Sequence, residues 1–88
     1  MPRVRTFEDT FISSLRKLGY RVERNENGTA FIFKEGFWGW IEFKKHKNSP
    51  ARPGQKENVA WAQENSWGSF VYLENAKEVY NELKEMAK

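Results

Sequence analysis

An α/β (α+β) fold, a small mixed β-sheet flanked by helices in the order α-β-β-β-α-β-α, is what this 88-residue sequence predicts. Two stretches with apolar residues at helical spacing lie toward the two ends of the chain. Between them come three β-prone runs separated by glycine-containing turns, then a proline-containing loop, a further helical stretch and one more strand. The order places a helix on each side of a sheet, which is how both of its faces are covered.

The first helix is marked by Thr6 as N-cap with Asp9 three residues on, a start that resembles a capping box. Phe7, Phe11, Leu15 and Leu18 form one apolar stripe, and Gly19 is the natural stop. "YRVER" at 20–24 is a short alternating strand, and "NENG" at 25–28 is a turn. "TAFIFK" at 29–34 and "FWGWIEFK" at 37–44 read as a hairpin turning at Glu35 and Gly36, with aromatics on both faces. A sheet apolar on both faces is expected to be covered on both. Pro50 and Pro53 end the strand character, and a helix follows over about 54–65 with Val59 and Ala62 inward. "SFVYLE" at 69–74 is the last strand. The closing helix opens at Asn75 with Glu78 in the capping-box place, and Val79, Tyr80, Leu83 and Met86 make its stripe.

Composition sets the bounds. A chain this short is expected to be one domain, burying a little over ~60% of its unfolded surface. Four Trp, three Tyr and seven Phe supply an economical core, since each ring buries roughly 150–250 Å². The absence of cysteine excludes disulfides and thiolate metal sites and suits a reducing cytoplasm, that of a host cell if the protein is phage-encoded. No apolar run approaches the ~18 residues of a membrane span, and no signal peptide is expected.

Charge is uneven. The net charge is +3, yet residues 44–56 carry Lys44, Lys45, Lys47, Arg52 and Lys56, with His46 among them and no acidic residue. A local positive field of this kind suits a polyanion, nucleic acid above all. It also suits a plain solvated loop. Just before it, Glu42 and Lys44 form Glu-x-Lys at the end of an aromatic strand, where period-two alternation puts both side chains on one face.

These pieces together resemble a known superfamily. "FEDTFISSLRKLGYRVERNENG", then "WIEFKK", then "RPGQKENVAWAQENSWGSFVY" are similar to the PD-(D/E)XK nucleases, with their restriction-endonuclease-like core, and most of all to the small virus-type replication-repair (VRR-NUC) modules of phages. The resemblance covers most of the chain. It implies a metal-dependent endonuclease acting on DNA, with branched or flapped structures among its substrates. Glu42 would be a ligand to Mg²⁺ or Mn²⁺, which take oxygen donors. Lys44 would sit near the scissile phosphate, Gln55 would support the catalytic site, and Glu8 would be an acidic residue of the first helix that reaches the metal. Lys45, Lys47, Arg52 and Lys56 would bind nucleic acid.

One position departs from the pattern. The family places an Asp near the start of the second strand, and here "NGTAFIF" has no carboxylate. The residues expected opposite Glu42 are Gly28, Thr29 or Ala30. An inactivating substitution, relocation of the ligand to Glu26 or Glu8, and a degenerate site all account for this. Two functions therefore stand: the endonuclease, and a catalytically inactive protein of the same fold that binds nucleic acid or assembles with replication or recombination partners. Glu8 also suits a helix N-terminus without any metal, and His46 suits a solvated loop. Trp38, Trp40, Trp61 and Trp67 are more than a core of this size readily hides, so a homodimer covering some of them is expected.

Overall fold

A computed structural model describes residues 7–88. The elements are α1 (Phe7–Lys17), β1 (Arg21–Arg24), β2 (Thr29–Lys34), β3 (Phe37–Phe43), α2 (Gln55–Asn65), β4 (Trp67–Val71) and α3 (Ala76–Met86), in the order the sequence predicts. The N-cap expected at Thr6 lies outside the described residues. The sheet runs β1-β2-β3-β4. β1, β2 and β3 form an antiparallel meander, and β4 returns parallel to β3 after the α2 crossover, as a parallel neighbour requires.

α1 and α3 share one face of the sheet. Phe11, Ile12 and Leu15 of α1 meet Val22, Ala30, Ile32, Ile41, Phe43, Val71, Val79 and Leu83 in a single buried cluster. Phe43 stands edge-on to both Phe7 and Phe11, with centroids 6.2 and 6.0 Å apart. Tyr20 closes the far end, its hydroxyl donating to the Leu83 carbonyl at 2.7 Å. Burial there raises the Tyr20 pKa above its ordinary value. Gly19 takes φ +99°, the left-handed stop expected after α1.

α2 covers the opposite face over β3 and β4. Its approach is close: a Cβ on Gly68 would lie 2.8 Å from the Ala62 Cβ and 2.9 Å from the Val59 carbonyl oxygen. That contact corrects the last strand, expected at 69–74 and found at Trp67–Val71. "WG" looks like a loop in sequence, yet only a glycine lets α2 sit this near the strand. Beyond Val71 the chain turns. Asn75 folds back to accept from the Tyr72 amide at 2.8 Å and to donate to the Phe70 carbonyl at 2.9 Å. Its side chain therefore makes no capping bond to α3, and the capping box expected with Glu78 is not formed. Met86, expected in the buried stripe, is exposed as the last residue of α3. The second face is also less covered than the sequence suggests, because α2 packs on β3 and β4 and Phe33 of β2 stays 40% exposed.

Candidate functional site

The site grows from the end of β3. Odd-numbered residues of β3 face α1 and α3, so Trp38, Trp40, Glu42 and then Lys44 face the α2 side. Glu42 is only 2% exposed. Three neutral donors hold it: Thr29 Oγ1 at 2.8 Å and Gln55 Nε2 at 3.2 Å on Oε1, and Trp40 Nε1 at 2.7 Å on Oε2. Thr29 is the direct cross-strand partner of Glu42. Of the three positions expected opposite Glu42, the register selects Thr29, and it meets the carboxylate with a hydroxyl.

Gln55 does more than reach Glu42. Its side-chain oxygen accepts from the Arg52 backbone amide at 2.7 Å, while its backbone amide donates to the Arg52 carbonyl at 3.1 Å. The first residue of α2 thus ties the basic loop to the buried carboxylate. At the loop's other end the Lys44 amide donates to Val71 O at 2.9 Å. The Lys44 ammonium donates to the Lys47 carbonyl at 3.1 Å and lies 5.2 and 5.7 Å from the ring centres of Phe70 and Tyr72. Cation–π attraction of this kind is worth about 0.5–1 kcal/mol at an open site.

Beside this network lies an open cleft of about 840 Å³. Arg24, Asn25, Glu26, Asn27 and Gly28 line one side, and Lys44, Lys45, Ser49, Arg52 and Gln55 the other, with Glu8 at its edge. The turn that forms the first wall is organised by Asn25, whose Oδ1 accepts from the Asn27 and Thr29 amides. Gly28 at φ +82° completes it. Lys47 and Lys56 are exposed nearby and do not line the cleft. Glu8 is ion-paired with Arg24 at 3.0 Å, and Arg24 also binds Asp9.

The structure thus brings together Glu42 and Gln55, and sets Lys44, Lys45, Arg52 and Glu8 around one cleft. It does not bring Glu8 or the Lys44 ammonium into the hydrogen-bonded set around Glu42. Sequence reasoning missed Trp40 as a partner of Glu42, although a donor two residues away on the same strand face was a readable signal. It missed Phe70 and Tyr72 as well, because their place under Lys44 depends on the parallel pairing of β4.

Does this set fit a divalent cation? A carboxylate offers roughly four lone-pair positions, and three donors already occupy Glu42. No second carboxylate belongs to the set, and the described residues contain no group of three His, Cys, Asp or Glu placed to hold a metal. As arranged, the hydrogen-bonded set around Glu42 does not by itself supply the ligands that a resident Mg²⁺ or Mn²⁺ takes. No helix among the described residues is long and apolar enough to cross a membrane. Neither a family model, nor a curated protein, nor a solved structure matches the chain.

Proposed function

We propose that this protein binds the phosphodiester backbone of DNA in the cleft beneath the 44–56 loop, on a nuclease-like scaffold whose Glu42 centre anchors the loop. The carrying observation is the double role of Gln55, which joins Glu42 to the Arg52 backbone. That link turns a run of cations into a fixed wall. Preorganised cations lose less entropy on binding than free side chains do, and each phosphate they neutralise releases counterions.

The test is a salt titration of duplex binding. Each neutralised phosphate contributes roughly 0.9 to the log-log slope, so Lys47→Glu with Arg52→Glu is expected to lower both affinity and slope. Unchanged binding in that double variant removes the loop from the site.

A second reading, the Mg²⁺- or Mn²⁺-dependent endonuclease, is favoured by one observation: Glu42 and Gln55 meet as the family resemblance implies. In this reading the carboxylate missing opposite Glu42 was either lost at Thr29 or relocated to Glu26 or Glu8, both of which line the cleft. Thr29→Asp supplies one directly opposite Glu42. Cleavage of DNA by that variant with Mn²⁺, against none by the parent, supports a nuclease scaffold altered at residue 29. Cleavage by the parent that is lost in Glu42→Gln makes the endonuclease the better account.

A further inference from the structure

The face that holds Glu42 continues away from the cleft, and its character changes from cationic to aromatic. Phe33 and Trp38 are direct cross-strand partners. Trp61 of α2 stacks on Trp38, with centroids 5.4 Å apart and planes 30° apart. Phe33 is 40% and Trp61 53% exposed, and α2 leaves the β2 side of this patch open. Phe31 and Trp40, edge to face at 4.9 Å, continue the row toward Glu42. From Trp38 to Lys44 the row spans about 20 Å at roughly 3.3 Å per residue.

We infer that this face is a track for single-stranded DNA, with phosphates on the cations of the 44–56 loop and unpaired bases stacked on Phe33, Trp38 and Trp61. The inference rests on the cleft reading above and names its substrate class. Exposed rings at Phe33 and Trp61, on the sheet face from which Lys44 and the cationic loop extend, match a ligand that is both polyanionic and aromatic, whereas a duplex hides its base faces. The other exposed groups on this face over β1, Arg21 and Glu23, neutralise each other at 2.8 Å.

The experiment compares a thymidine oligomer of about 12 nucleotides with a duplex of the same length on the full chain, by anisotropy and tryptophan emission. The single strand is expected to bind more tightly and to quench emission. Trp61→Ala is expected to weaken single-strand binding about tenfold while duplex affinity stays unchanged, and Trp61→Phe, which keeps a ring, to restore most of it. Equal single-strand affinity in the parent, Trp61→Ala and Phe33→Ala overturns the track. If duplex binding still falls in the Lys47→Glu, Arg52→Glu variant, the cleft reading survives that result. A parent dimer that Trp61→Glu converts to monomer, with single-strand affinity retained, assigns the face to self-association and overturns the inference. Failure of the parent to bind either DNA overturns both readings.

Discussion

The two faces of the sheet are built from the same strands and do opposite things. Toward α1 and α3, Val22, Ala30, Ile32, Ile41, Phe43 and Val71 meet Leu15 and Leu83 in a closed apolar layer. Toward α2, those strands present Glu42, Thr29, Trp40, Trp38, Phe31 and Phe33 under a helix that packs mainly on β3 and β4. One face is held by burial, which is non-directional and tolerant of how residues are shuffled. The other is held by hydrogen bonds that fail one partner at a time. The contrast teaches that stability resides mainly in the first face, while the second is left to hold a polar network and an open aromatic surface.

Breaking the closed face gives the largest effect. Leu83→Ala removes a fully buried side chain and is expected to cost about 3 kcal/mol, within the usual range for such cavities. Urea unfolding measures it, and a loss of less than about 1 kcal/mol would place the main stabilising layer elsewhere.

Thr29→Asp attacks the polar face by setting a second carboxylate against Glu42. Two buried carboxylates at hydrogen-bonding distance raise one pKa of the pair. A folded-state pKa above the unfolded one means stability that is present at low pH and lost as pH rises. The variant is therefore expected to be destabilised by on the order of 2 kcal/mol at neutral pH and to recover on acidification. Thermal unfolding from pH 4 to pH 8 checks the sign, and a flat profile shows that the two groups do not meet. Added Mn²⁺ raising the melting temperature of this variant, and not of the parent, would show that the scaffold takes a cation once the second carboxylate is present.

Gln55→Ala sharpens the comparison further, since it leaves every cation of the loop in place. It removes the bond to Glu42 and the acceptor for the Arg52 amide. The expected cost is about 1 kcal/mol of stability, together with weaker duplex binding at an unchanged salt slope. A fall in slope instead would mean that the cations themselves have left the site.

The smallest effect belongs to Tyr20, at the edge of the closed face. Its raised pKa arises from burial, so its contribution is complete below the unfolded value near 10 and is lost as pH rises through the folded one. Stability of the parent is expected to decline above about pH 10 more steeply than that of Tyr20→Phe. Equal slopes in the two proteins would show that the hydroxyl is not buried against Leu83.

Much of this was legible in the chain. Helical spacing marked α1 and α3, Gly19 marked the end of α1, Glu35 and Gly36 marked the turn between β2 and β3, and alternation put Glu42 and Lys44 on one face while sending Phe43 into the core. These are local properties, set by backbone geometry over a few residues, so the sequence by itself determined the element order, the mixed fold class and the parity of β3. The tertiary structure decided the rest. Pairing in register chose Thr29 as the residue facing Glu42. The parallel return of β4 set Phe70 and Tyr72 beneath Lys44, and the close seat of α2 on Gly68 began that strand two residues early and left Phe33 uncovered. Each depends on where one element lies against another, a choice made by the summed packing of distant side chains.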